Sequence, residues 1–367
     1  MKFTQILFGL LAASSAVASP TTCSKTYTVK SGDYCSLIAS NNGVTVNSIT
    51  TCTNAMGNLG SRKLDDATCG IWVGDVLCLA CSTTSSTGKF RVAPYYELVV
   101  QGNPSLSGMK YATFAFTTAD ANKNPSFEGS ALASYSSIIT NFKNGGGIPI
   151  MSFGGALGNE LAVVQTDETK LKAAYQTFIT SYGIKKFDFD IEGPTASDTN
   201  AQGRRNRAIK ALQTQYTDLE VMFTVAISST GLPATQVNII KNARAAGVKI
   251  STVNVMLFDY GSATTVSNLE ASKTALNALR NQLNAIDVNI KMGATIMIGK
   301  DDLGKVITVA ETKSLLDWIV ANHPTCTHVS FWAMHRDKPG SGPLYSNAGI
   351  TGFTAGDYLK TFKLYAA

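Results

Sequence analysis

Three acids stand at alternate positions in the stretch Lys185-Lys186-Phe187-Asp188-Phe189-Asp190-Ile191-Glu192-Gly193. As a strand, this stretch carries Asp188, Asp190 and Glu192 on one face and Phe187, Phe189 and Ile191 on the other. On a surface antiparallel strand the acidic face would simply be wet. Inside a closed barrel the same face points inward, where removing even one carboxylate from water is costly unless it is neutralised or well hydrogen-bonded. Carboxylates crowded there share protons and oppose one another's ionisation. A neutral Glu192 at the carboxyl end of a barrel strand would be a general acid.

The elements needed to position these acids can be read from the rest of the chain. Apolar runs occur at 90–99, 111–119, 147–155, 184–193, 219–228, 251–261, 290–299 and 327–334, and helical-period segments such as 167–183 separate them. Eight strands with crossover helices in residues 89–367 predict an α/β domain, a (β/α)8 TIM barrel. In that setting the acids of the fourth strand are buried. The alternative is a doubly wound open sheet, which would offer a glycine-rich phosphate loop after its first strand; Pro94-Tyr95-Tyr96-Glu97-Leu98 offers none.

At 367 residues, 44% hydrophobic and 15% charged, the chain is globular and long enough for one large domain and one small one. Lys2, the short apolar run from Ile6 to Ala13 and the small residues Ala16-Val17-Ala18-Ser19 before Pro20 form the pattern of a secretory signal over 1–19. No later stretch reaches the roughly 18 apolar residues of a membrane span. A secreted, extracellular or wall-associated protein is expected, a monomer without membrane contact. Cys23, Cys35, Cys52, Cys69, Cys78 and Cys81 fall in one short segment, which suggests three disulfides stapling a small domain over 20–81, with connectivity left open. Cys78 and Cys81 also have metal-like spacing, but no histidine lies nearby. Cys326 stands apart as a buried free thiol. Residues 82–88, Ser-Thr-Thr-Ser-Ser-Thr-Gly, read as a flexible linker able to carry O-linked sugar.

The formal charge of +6 is scattered, and the run Arg204, Arg205, Arg207 lacks interleaved aromatics, so it reads as a solvated helix face and no nucleic-acid partner is expected. His323, His328 and His335 have no metal-ligand spacing. Neither a metal nor a cofactor is expected.

Tyr-Thr-Val-Lys-Ser-Gly-Asp from Tyr27, a helix starting within Ser36–Ser40, the segment 44–54, and Trp72-Val73-Gly74-Asp75-Val76-Leu77-Cys78-Leu79 together resemble a LysM domain over residues 26–79. The strands would be 27–30 and 70–79. The resemblance implies binding of N-acetylglucosamine polymers, with Gly32, Asp33 and Tyr34 near the ligand. The cysteine density is nearer the secreted fungal variety than the bacterial one.

In the larger domain, Phe-Asp-Phe-Asp-Ile-Glu resembles the DxxDxDxE strand of glycoside hydrolase family 18 chitinases. Ser152-Phe153-Gly154-Gly155 resembles that family's SxGG motif, Met256-Leu257-Phe258-Asp259-Tyr260 its sixth-strand motif, and Trp332 its eighth-strand tryptophan. The likeness covers 89–367. It implies Glu192, Asp190 and Asp188 as catalytic residues in a substrate-assisted, retaining reaction. It further implies Ser152, Met256, Asp259, Tyr260, Asp302 and Trp332 as substrate-binding residues, with chitin or chitooligosaccharides as partners. Two positions depart: Lys185 replaces the motif's first acid, and Phe258 stands where many members carry a tyrosine, a hydroxyl that Tyr260 is expected to supply. A non-catalytic chitin lectin, an endo-β-N-acetylglucosaminidase acting on another glycan and a peptidoglycan hydrolase remain alternatives.

Overall fold

The computed structural model describes residues 22–56, 59, 62, 64, 69–82, 89–100, 103–261 and 265–367. The signal expected at 1–19 and linker residues 83–88 lie outside them. The chain divides into two compact units, 1–86 and 87–367.

In the first unit, strand β1 (Thr22–Thr28) precedes helices α1 (Cys35–Asn42) and α2 (Val46–Met56) and strand β2 (Val76–Ser82), which pairs antiparallel with β1. Ile38, Ile49, Leu77 and Leu79 form a small buried core. So little apolar surface stabilises weakly. Disulfides Cys23–Cys78 and Cys35–Cys69 supplement it, and Cys52 is also disulfide-bonded. The closing strand begins at Val76 rather than at residue 70, because 72–75 form a turn: Asp75 Oδ2 accepts from Trp72 N at 2.7 Å, and Gly74 takes a positive φ of 94°.

The second unit runs as β3 (Arg91–Val92), β4 (Tyr95–Glu97), β5 (Tyr111–Ala119), β6 (Pro125–Phe127), α3 (Ser136–Asn144), β7 (Ile148–Gly154), α4 (Leu161–Val164), α5 (Glu168–Thr180), β8 (Lys186–Ile191) and α6 (Thr199–Gln215). It continues through β9 (Glu220–Ala226), α7 (Ala234–Ala245), β10 (Ile250–Met256), α8 (Asn268–Ile286), β11 (Lys291–Met297), β12 (Gly299–Lys300), β13 (Val306–Ile307), α9 (Val309–Asn322), β14 (Cys326–Trp332) and α10 (Asp357–Lys363). Side-chain caps start the crossover helices: Asp167 for α5, Asp198 for α6, Ser267 for α8, and a Thr308/Glu311 capping box for α9.

The sheet order β3-β14-β11-β10-β9-β8-β7-β5-β4 follows the chain without a reversal. A doubly wound sheet has a switch point, so this order excludes it. The first expected strand is split. β3 pairs with β14 and β4 pairs with β5, and between them Ala93 N donates to Val329 O and Pro94 O accepts from Thr113 N. Proline has no N–H to continue the ladder, which accounts for the interruption. The short β6 runs antiparallel to β5, so the curled sheet is mixed.

One face of β8 packs into the helix layer. Phe189 stacks on Phe153 with centroids 5.1 Å apart and meets Tyr175 of α5 edge-on at 5.3 Å, while Phe187 meets Phe153 edge-on at 5.0 Å. Each such ring contributes through buried area and edge or offset contact. Lys185, at the strand's entrance, forms an exposed ion pair with Asp218. Cys326 is a buried free thiol whose pKa burial pushes up to about 12.

Candidate active site

The face of β8 opposite the phenylalanines carries Asp188 and Asp190, 0% and 4% exposed. Asp188 is held by hydroxyls from three strands: Oδ2 accepts from Tyr95 Oη at 2.9 Å and Ser152 Oγ at 2.8 Å, and Oδ1 from Thr224 Oγ1 at 2.7 Å. Asn254 Nδ2 extends the network, donating to Thr224 Oγ1 at 2.9 Å and Thr295 Oγ1 at 2.7 Å. The layer around Asp188 is therefore a polar network, in which Asn254 Oδ1 is buried without a hydrogen-bond partner among the described residues. Burial pushes Asp188 up to about 6 against the pull of these three donors.

Asp190 has no such cradle. Its Oδ1 is buried with no hydrogen-bond partner among the described residues. Burial first, then the charges of Glu192 and Asp188, push its pKa well above the usual range. Glu192 follows at the strand's end, as the extended residue before the short turn Gly193–Ser197, and is half-buried. Burial, then Asp259 and Asp302, push it up to about 7. These shifts let Asp188 up to about pH 6 and Glu192 up to about pH 7 keep protons that free acids would already have released.

Raised acids bind protons in the folded state between their unfolded values near 4 and their folded values, so folding is most favoured when they are protonated. The stability they supply is present below about pH 4 and is lost as pH rises through about 6 and about 7. Thermal unfolding should therefore show Glu192→Gln more stable than the parent at pH 8, with the gap closing at pH 4. A gap independent of pH would contradict the raised pKa.

A second acidic group lies on the loops after β10 and β11. Asp259 takes a positive φ of 52°, strain of the kind stored at functional sites. Its Oδ1 accepts from Leu303 N at 3.2 Å, and burial with the charges of Asp301 and Asp302 pushes it up to about 6. Asp302 is exposed. Its neighbour Asp301 is fully buried and organises both loops, accepting from Asp259 N at 3.3 Å, Asn268 Nδ2 at 3.0 Å and Lys305 N at 2.8 Å. Arg336, 1% exposed, holds the carbonyls of Ile298, Lys300 and Leu344 at 3.1, 2.7 and 2.6 Å and supplies positive charge to Asp259, Asp301 and Asp302. Burial pulls its pKa down to about 10.

Trp332 ends β14 half-buried, stacked on Phe116 at 5.5 Å and edge-on to Tyr95 at 5.7 Å. Tyr95 thus links the tryptophan to Asp188. Met256 ends β10 and is buried.

Three of the residues expected at a ligand make contacts within the chain. Ser152 is 0% exposed and gives its hydroxyl to Asp188, so it braces an acid rather than meeting a ligand. Tyr260 is buried, and its hydroxyl is shared with Ser272 Oγ of α8 at 2.8 Å. In the first unit, Asp33 Oδ2 accepts from Tyr27 Oη at 2.9 Å and Lys30 N at 2.7 Å, so it closes its own turn. Gly32 takes the positive φ of 88° that turn requires, and Tyr34 is 58% exposed. Sequence reasoning missed Tyr95, Thr224, Asn254, Asp301 and Arg336. A polar residue inside an apolar run, as Thr224 in Val-Met-Phe-Thr-Val-Ala, was the available signal.

Residues 27–80 match the family model of the LysM domain. A "Probable bifunctional chitinase/lysozyme" of Escherichia coli (strain K12) is 30% identical over 288 residues, 70% of this chain and 32% of its own length. "Endochitinase 11" of Metarhizium anisopliae is 28% identical over 282 residues, 69% of this chain and 53% of its own. The chain thus spans about a third and about half the length of these two relatives. The catalytic domain of a hyperthermophilic chitinase from Pyrococcus furiosus shares the fold, with a TM-score of 0.68 at 23% identity over 76% of this chain and 97% of that one. These findings bear out the resemblance drawn from the sequence.

Proposed function

We propose that this chain is a secreted chitinase of glycoside hydrolase family 18, cleaving β-1,4-linked N-acetylglucosamine polymers with retention. The observation that carries the reading is the row Asp188, Asp190 and Glu192 running to a strand's carboxyl end, with Asp190 Oδ1 buried and without a hydrogen-bond partner among the described residues. The pairing of β3 with β14 and of β4 with β5 supports closure of the sheet into a (β/α)8 barrel, whose active sites lie at that end.

Glu192 gives its proton to the glycosidic oxygen as the substrate's own 2-acetamido oxygen attacks the anomeric carbon and the C1–O bond breaks. Asp190 accepts the acetamido N–H and stabilises the cyclic oxazolinium cation. The Glu192 carboxylate then takes a proton from water as that water attacks C1 and opens the ring, which restores the starting configuration. Asp188, near its pKa of about 6, exchanges the proton that lets Asp190 turn between itself and the substrate. Trp332 floors the reacting sugar, and Asp259 and Asp302 line it. Mass-spectrometric analysis of chitin oligosaccharides incubated with the purified protein tests the reading. Shorter fragments are expected; intact oligosaccharides that nevertheless bind would favour a lectin.

The disulfide-stapled LysM unit supports an extracellular setting and a chitin-binding role for the loop around Gly32 and Tyr34. Tethering raises the local concentration of polymer at the catalytic unit. Deleting residues 20–81 should slow hydrolysis of chitin particles by about tenfold and barely affect soluble oligomers. Equal losses on both would remove the anchoring role.

A further inference from the structure

The run Arg204, Arg205, Arg207 is not the solvated face its composition suggests. Arg207 does lie at the surface, paired with Glu168. Arg205 is 0% exposed, and its Nη2 stands 3.2 Å from Oε2 of Glu160, itself buried. Arg204 Nε and Nη2 donate to Ala162 O at 3.0 and 2.7 Å. Two arginines of α6 therefore hold the short helix α4, Arg205 through Glu160, its N-cap, which accepts from Val163 N, and Arg204 through the carbonyl of Ala162.

What α4 touches gives this grip a purpose. The chain leaves β7 through Gly154 and Gly155 and reaches Glu160 five residues later. Gly155 N donates to Asp190 O at 3.0 Å. A Cβ on Gly154 would stand 2.1 Å from that same carbonyl oxygen and 3.7 Å from Glu160 Cγ. Gly154 is thus flanked by the Asp190 backbone, which leaves no room for a Cβ, and by the Glu160 side chain, which a Cβ would meet at ordinary contact distance. Tyr175 Oη reaches Glu160 Oε1 at 3.5 Å and closes the pocket behind it.

A buried ion pair is a costly way to fill space, since packed apolar residues would stabilise as well or better. Its directional contacts do fix geometry. We propose that Glu160 and Arg205 are positioning residues: through the Gly154–Gly155 turn they set the placement of the Asp190 backbone, and with it the alignment of Asp190 and Glu192. The inference rests on the hydrolase reading above.

Arg205→Met alone would strand a buried carboxylate, so the informative variant is Glu160→Gln with Arg205→Met, which removes both charges at similar volume. On a chitin oligosaccharide, well below the unfolding midpoint, kcat should fall about tenfold or more with little change in KM, as small misplacements of reacting groups do. The pH limb assigned to Glu192 should shift. Arg205→Lys keeps the charge but loses the planar fork, and should fall between the parent and the double variant. Arg207→Ala should match the parent. A folded double variant with the parent's kcat and pH profile overturns the positioning role, whatever its melting temperature. Should the double variant not fold, full kcat and an unmoved profile in Arg205→Lys overturn it equally. A parent inactive on these oligosaccharides overturns the hydrolase reading and this role together, whereas an active parent matched by its variants overturns this role alone.

Discussion

Replacing Glu192 with glutamine should lower kcat/KM on chitin oligosaccharides by about 10³-fold while leaving their binding nearly intact, within the range that general acid–base catalysis supplies. Glutamine keeps the size and hydrogen-bonding reach of the side chain and removes its transferable proton. Burial and the charges of Asp259 and Asp302 hold the Glu192 proton up to about 7, so the parent's activity should fall on the alkaline side near that pH. Initial rates together with calorimetric titration of an oligosaccharide separate the two effects. A variant that cleaves as fast as the parent would remove Glu192 from the chemistry, and one that no longer binds would make it a ligand-holding group.

Asp190→Asn should cost about 10²-fold in kcat with a smaller change in KM, the size seen when one preorganised electrostatic contact to a developing charge is removed. On the proposed mechanism the amide can still meet the acetamido group, but it carries no charge to balance the oxazolinium cation. Because the Asp190 pKa is raised by burial and by both neighbouring acids, the substitution also changes the proton affinities of Asp188 and Glu192. The pH profile of the variant should therefore move as well as drop. Steady-state kinetics across pH provide the check, and a loss confined to KM would leave Asp190 as a binding residue only.

Much of this arrangement was legible because it follows local periodicity. Alternation put Asp188 and Asp190 on the face opposite Phe187 and Phe189, and the structure buries both faces, as the strand-helix repeat around them led one to expect. The apolar runs mark the strands within a few residues, apart from the first, which Pro94 divides. What escaped depends on neighbours distant in sequence. Ser152 looks like part of a tight-turn motif until Asp188, thirty-six positions away, is seen to take its hydroxyl. Arg205 looks like one of three surface cations until Glu160 buries it. Of the adjacent acids Asp301 and Asp302, motif likeness selects the exposed one, while the buried one holds the loop together. Tyr260 has the right residue type beside Asp259, yet helix α8 claims its hydroxyl through Ser272.

The central claim is that Glu192 and the substrate's own acetamido group divide the work of one retaining hydrolysis. Proton NMR of a chitin hexasaccharide during the first minutes of reaction, with the full chain and with Glu192→Gln in parallel, reads the retention and the need for that acid. The account predicts that the parent gives new reducing ends that appear as the β-anomer and only later equilibrate to α, while the variant leaves the spectrum unchanged. Initial α-anomer, a parent spectrum that stays unchanged, or equal cleavage by the variant would contradict it.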